Sequence, residues 1–169
     1  ALVMLALPGV AFVYNGEELG LPQVELPDEV LQDPVWERSG GRTERGRDGC
    51  RVPLPGPGTR PPFGFSTNPH TWLPLPADWA DSTVQHQLAD PGSTLTLFRQ
   101  AIQLRSARPE FAGGVAWLGD GGVFRREGGL VCVLNTGDTA MALPPGAVLL
   151  TSGPLTDGLL PPDSAAWLV

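Results

Sequence analysis

Two groups of residues in this 169-residue chain have side chains and spacings that could do chemistry. The first is Glu17 and Glu18, directly after Asn15 and Gly16. Paired carboxylates can hydrolyse a glycosidic bond when they stand about 5 to 9.5 Å apart, one as acid and one as nucleophile or base. Adjacent residues at a strand end point in opposite directions. These two therefore cannot flank one bond, and a structural carboxylate at the end of a strand is the plainer expectation. The second group runs from Arg45 through Gly46, Arg47, Asp48, Gly49, Cys50 and Arg51 to Val52 and Pro53. It sets three Arg and one Asp in a glycine-containing loop. Each guanidinium is a planar fork of donors that can fix hydroxyls or brace carboxylates, and Asp48 can orient one fork. The same composition also makes a solvated salt-bridge cluster.

Other reactive types are sparse. Two cysteines, Cys50 and Cys132, give no disulfide framework, and with only His70 and His86 no metal-ligand spacing arises. Free thiols are expected, and no metal or cofactor is. Cys50 lies between Arg47 and Arg51, which favours its thiolate, but no His is near in sequence to serve as base. Of the five Trp, Trp117 and Trp167 lie in apparent strands and read as core, whereas Trp36 and Trp72 are the better placed to face a ligand.

The elements that must hold these groups show in the hydrophobic pattern. Residues 1–7 read as an apolar helix end. Val10, Ala11, Phe12, Val13 and Tyr14 then read as a strand apolar on both faces, the pattern of a buried parallel strand, whose neighbours this chain does not supply. Residues 21–90 carry much proline and little periodicity. They read as a long ordered loop, because Trp36, Phe63, Phe65, Trp72 and Trp79 are too many apolar anchors for a solvated linker. Ser93 reads as the cap of a helix ending near Ala107, since Arg108 precedes Pro109. Short β runs follow at 115–118, 123–126, 130–134, 140–143, 148–151 and 165–169. They suggest a small antiparallel sandwich of 57 residues that leans on that helix.

Composition bounds the partners. Net charge is −7, which argues against a phosphate-binding surface and hence against DNA or RNA. The apolar opening is too short to span a bilayer and lacks the flanks of a signal peptide, so no membrane segment and a cytoplasmic location are expected. Gly (22) and Pro (19) together rule out long uninterrupted helices. Position 1 is not Met and lies inside a hydrophobic run, so the natural start is expected upstream.

The motifs resemble those of a known family. Leu7, Pro8, Gly9 and the string through Tyr14, Asn15, Gly16, Glu17, Glu18, Leu19 and Gly20 resemble the eighth barrel strand of glycoside hydrolase family 13, the α-amylase family. Gly46 to Pro53, then Phe63, Gly64, Phe65 and Ser66, then Trp72, Leu73 and Pro74 are similar to its α-glucosidase and oligo-1,6-glucosidase branch. Val84, Gln87, Asp90, Pro91, Ser93, Leu95, Arg99, Leu104, Arg105 and Pro109 continue the likeness at the same spacing. The likeness is to α-glucosidases of high-GC actinobacteria in particular, with which the all-Arg cations agree. The sequence departs from the branch at Leu54, Pro55 and Gly56, where an aromatic residue is usual.

The resemblance implies a fold and a site. The fold is α/β plus all-β: residues 1–112 as the C-terminal part of a (β/α)8 barrel, residues 113–169 as a C-terminal β-sandwich. Family members are retaining enzymes with an Asp nucleophile, a Glu acid/base and a second Asp, and none of these three falls within this chain. Arg47 and Arg51 match arginines of the glucose pocket, and Glu18 matches the strand-end carboxylate. The implied partner is an oligosaccharide or α-glucoside substrate, and the chain alone is expected to be inactive; its oligomeric state is left open. A transglycosylase or isomerase of the same family, and a non-catalytic homologue serving as a binding or scaffold protein, are the alternatives.

Overall fold

The computed structural model describes residues 1–40, 43–119 and 122–169. The chain divides into two compact units, Val13–Thr96 and the combination of Ala1–Phe12 with Leu97–Val169.

In the second of these, seven short strands among the described residues follow the helices α1 (Leu2–Ala6) and α4 (Thr94–Ala107): β1 Val115–Trp117, β2 Val123–Arg126, β3 Val131–Asn135, β4 Met141–Ala142, β5 Val148–Thr151, β6 Leu159–Leu160 and β7 Ser164–Leu168. Five form an antiparallel sheet in the order β1-β2-β3-β7-β5, and β4 pairs with β6. In the central pair, Cys132 lies opposite Trp167 and Val133 opposite Ala166. Side chains alternate between faces along a strand. Cys132, Ala165 and Trp167 thus join Phe124, Leu130 and Phe111 beneath Leu2, Leu5, Ala6, Phe98 and Ala101. Val131, Val133, Ala166 and Leu168 gather with Leu160 on the other face. Cover on both faces explains why β3 and β7 read as nearly unbroken apolar runs. The six expected β runs appear, and β6 is added, too short to show a period.

Trp167 is fully buried, with its ring edge-on to Phe111 at 4.8 Å and its indole N–H donating to the Leu2 carbonyl at 3.1 Å. Trp117 does not behave as core: on the edge strand β1 it is 58% exposed, touching Phe124 with one side only. An edge strand has a neighbour on one flank, so half of a large ring there stays in solvent.

The C-terminal carbonyls of α1 have no intrahelical donors and would be left unsatisfied. Two arginines from distant sequence meet them. Arg126, 4% exposed, donates to the carbonyls of Ala6 (2.7 Å), Gly113 (2.6 Å) and Gly114 (3.1 Å). Arg105 donates to those of Leu5, Leu7 and Gly9. Cations suit a helix C-terminus for the further reason that the dipole is negative there. Burial, and then the neighbouring Arg105, draws the Arg126 pKa below its ordinary value.

The expected strand at 10–14 does not form here. Val10 and Phe12 are 81% and 82% exposed, and no described strand pairs with the segment. A strand exists only through its ladder of hydrogen bonds, so apolar sequence without partners stays unpaired.

The other unit, Val13–Thr96, is ordered without a described strand. Its helices are α2 (Pro34–Arg38) and α3 (Val84–Ala89), with 3₁₀ turns at Glu17–Leu19, Asp28–Val30, Asp48–Cys50 and Trp79–Ser82. Leu26, Val52, Phe63, Leu73 and Trp79 form its core, which bears out the ordered loop. Gln87 ties its ends: the amide donates to the Leu19 carbonyl at 2.8 Å and accepts from the Leu95 N–H at 2.9 Å. Ser93 caps α4 by accepting from the Thr96 N–H at 3.2 Å. The helix stops at Ala107, where Arg108 turns extended before Pro109.

Arg126→Met keeps the length of the side chain and removes its donors, stranding three carbonyls. A loss of about 2 to 4 kcal/mol in unfolding free energy is expected by urea titration. A variant within about 0.5 kcal/mol of the parent would show that water serves those carbonyls equally well.

Candidate functional site

The arginine loop is held by two carboxylates that grip each other's segments. Asp48, fully buried, accepts through Oδ2 from the backbone N–H groups of Gln32 (2.5 Å) and Asp33 (2.7 Å). Asp33 in return accepts through Oδ2 from the Arg47 N–H (3.1 Å) and from the Arg51 guanidinium (2.9 Å). Its Oδ1 accepts from the Val35 N–H at 3.1 Å and so caps α2, with Pro34 in the first turn. Among the described residues the Asp48 Oδ1 has no hydrogen-bond partner, and Arg51 Nη1 stands 3.9 Å away.

Two glycines make this approach feasible. A Cβ at Gly46, where φ is +71°, would lie 2.5 Å from Asp33 Cγ, and one at Gly49 would lie 2.3 Å from the Val24 carbonyl oxygen. Backbone N–H donors from Val35 and Arg47, then the charges of Arg51 and Arg47, hold the Asp33 carboxyl below its ordinary value of 3.8. A depressed acid stabilises the fold above the unfolded value and loses that contribution as pH falls through the folded one. The contribution of Asp33 is therefore full at neutral pH and is lost as pH falls through its lowered value.

Arg47 and Arg51 both reach open space. An open cleft of about 550 Å³ is lined by Asp33, Arg38, Glu44, Arg47 and Arg51. A second, of about 610 Å³, is lined by Tyr14, Asn15, Arg51, Phe65 and Trp72. Arg51 borders both. The Arg47 guanidinium is exposed and has no hydrogen-bond partner among the described residues, although its backbone is fixed by Asp33 and by the Cys50 N–H, which donates to the Arg47 carbonyl at 3.2 Å.

Arg45 plays a different part. It pairs with Asp28 at 2.5 Å, donates to the Leu26 carbonyl and stacks 5.7 Å over the Trp36 ring. Trp36, 5% exposed beneath it, is thereby corrected from a ligand-facing ring to a packing one. Trp72 stays at the surface, 62% exposed, with Phe65 at 57%.

Glu17 and Glu18 both turn back on the chain. Glu17 accepts from the Tyr14 N–H at 3.2 Å and Glu18 from the Gly16 N–H at 2.8 Å, so each braces the 3₁₀ turn. The Tyr14 hydroxyl donates to the Cys50 carbonyl at 3.2 Å, joining this turn to the arginine loop. The exposed Cys50 thiol lies against the Arg47 carbonyl at 3.1 Å, and among the described residues no group of three or more His, Cys, Asp or Glu could hold a metal. No helix of the described residues is long and apolar enough to cross a membrane.

Asp33 and Tyr14 were not singled out from the sequence. A signal for Asp33 existed: Asp followed by Pro is a helix start, with the acid as cap and proline in the first turn. Nothing in the sequence pairs Asp33 with Arg51.

The chain thus consists of a proline-rich loop unit that carries arginines at a cleft and a small antiparallel β unit. Residues 1–114 match the alpha amylase catalytic domain, and residues 110–167 match a domain of unknown function, DUF3459. The chain belongs to the alpha-amylase family.

A probable alpha-glucosidase of Rhizobium meliloti (strain 1021) is 36% identical over 118 residues, covering 68% of this chain and 20% of that protein. Maltase A1 of Drosophila melanogaster is 32% identical over 152 residues, covering 84% and 26%. The crystal structure of the alpha-glucosyl transfer enzyme XgtA is similar over 99% of this chain and 34% of its own, with TM-score 0.74 and 31% identity. The trehalulose synthase MutB shares the fold, with TM-score 0.79 at 19% identity over 99% of this chain and 37% of its own. The chain thus spans a fifth to a quarter of the curated relatives and about a third of the solved ones. These relatives give no support to a specifically actinobacterial likeness.

Asp48→Ala leaves the part-buried N–H groups of Gln32 and Asp33 without that acceptor and is expected to cost about 1 to 3 kcal/mol, read by denaturant titration with tryptophan fluorescence. Cys132 lies in the sheet core, where burial pushes its thiol up to about 12. An uncharged alkylating reagent at neutral pH should label one thiol per native chain, at Cys50, and both after denaturation. Rapid native labelling of Cys132 would contradict the core described above.

Proposed function

We propose that this chain is the C-terminal portion of a retaining α-glucosidase that removes terminal α-linked glucose from oligosaccharides in the cytoplasm. Residues 1–112 contribute to the catalytic barrel and residues 113–169 form the C-terminal domain. The nucleophile, the acid/base and the transition-state Asp come from other parts of the enzyme. Arg47 and Arg51 hold the sugar, and Glu18 keeps the turn that leads into the loop. The observation that carries this reading is the state of Arg47: its backbone is fixed by Asp33, while its fork of donors points at an open cleft without a protein partner among the described residues. A guanidinium so placed can meet the paired hydroxyls of a pyranose with little further ordering. The names of the relatives, alpha-glucosidase and maltase, support the substrate class.

A second reading, glucosyl transfer to an acceptor other than water, is favoured by the likeness to the alpha-glucosyl transfer enzyme at 31% identity. The two readings share the sugar site and differ in the acceptor. Product analysis with maltose separates them: free glucose alone supports hydrolysis, whereas new disaccharides or trisaccharides support transfer.

In the complete enzyme, Arg47→Ala should lower kcat/KM on a p-nitrophenyl α-glucoside at least about tenfold, since a charge-assisted hydrogen bond is worth about 1.5 to 3 kcal/mol. An unchanged kcat/KM would remove Arg47 from the site.

A further inference from the structure

We propose that Asp33 is a positioning residue for the sugar-binding arginines, its carboxylate setting the guanidinium of Arg51 and the backbone of Arg47 at the wall of the cleft. The inference rests on the reading of those arginines as sugar contacts, and it adds a residue from a different segment of the loop unit. Asp33 divides its two oxygens between two tasks. Oδ1 accepts the Val35 N–H and serves the helix cap, whereas Oδ2 accepts both the Arg47 N–H and Arg51 Nη1. The side chain is 12% exposed and Arg51 31%, so the pair is shielded on the protein side and open toward the cleft. That geometry leaves part of the Arg51 fork for a ligand while fixing its plane.

The surroundings allow Asp33 little freedom. Its own N–H is held by Asp48 and its Oδ1 by the cap, and its carboxyl group lies so close to Gly46 that a Cβ there would come within 2.5 Å of Asp33 Cγ. A guanidinium on a long flexible stem loses rotamer freedom when it binds, and a carboxylate that has already fixed it removes that cost from the binding step. Asp33 therefore contributes to affinity without touching the sugar. Removing it should raise KM and leave kcat nearly unchanged.

The two oxygens suggest the test. Asp33→Ser retains a good helix cap and loses the acceptor for Arg51. In the complete enzyme, with p-nitrophenyl α-glucoside, Asp33→Ser should raise KM about tenfold with kcat within about twofold. Asp33→Asn, which keeps the shape and the cap oxygen, should show the same shift even if the serine variant folds poorly. Arg51→Ala should raise KM by at least as much, and Asp33→Ser combined with Arg51→Ala should be no worse than Arg51→Ala alone. Additive effects in the double variant, or a normal KM for both Asp33 variants beside a raised one for Arg51→Ala, overturn the positioning role. A normal KM for Arg51→Ala overturns the sugar-contact reading beneath it, which is a separate and recognisable failure.

Discussion

The loop unit depends on the mutual grip of Asp33 and Asp48. A segment rich in proline and glycine cannot satisfy its backbone through a helix or sheet ladder, and every buried N–H without an acceptor costs about 1 to 3 kcal/mol. Asp48 supplies one acceptor for two consecutive N–H groups, at Gln32 and Asp33. Asp33 supplies another for Val35, Arg47 and Arg51. Each carboxylate sits on the segment that the other holds, so neither segment can move alone. A charged acceptor in a poorly solvated place bonds more strongly than a neutral one, which suits a fold with so few regular elements.

The β unit solves the opposite problem. There the unsatisfied groups are carbonyls, at the end of the five-residue helix α1, and the charged partners are Arg105 and Arg126. Carboxylates hold N–H groups in one unit, and guanidiniums hold carbonyls in the other. Both devices join segments far apart in sequence. Arg126 and Ala6 are separated by 120 residues, and the bond is buried. In this way the very short helix α1 becomes part of the β unit's core, packed against Trp167.

The arginines of the loop are held to different degrees. Arg45 is committed to Asp28, Leu26 and Trp36, and Arg51 is held on one side by Asp33. Arg47 alone of the three presents a guanidinium with no hydrogen-bond partner among the described residues. Three arginines that look equivalent in the loop sequence therefore have three different environments: packing, a half-committed wall and an open fork. Tyr14, Phe65 and Trp72 add aromatic surface beside Arg51.

The sequence by itself determined what local pattern can encode. It marked the α4 start at Ser93 and its stop before Pro109, the β runs from Val115 onward, the aromatic anchoring of the long loop, and the motifs of Gly46 to Pro53 and Gly16 to Gly20. Capping, proline geometry and alternation act within a few residues, so they are written in order along the chain. Tertiary structure decided the rest. Trp36 and Trp117 exchange their expected places because Arg45 lies over the one ring, whereas the other stands on the edge strand β1. Residues 10–14 are apolar enough for a strand, yet a ladder needs partners that no local pattern supplies. The grip of Asp33 on Arg51 spans 18 residues, and that of Arg126 on Ala6 spans 120. Hydrogen bonds between distant segments are set by which surfaces pack together, so nothing in the order of residues announces them.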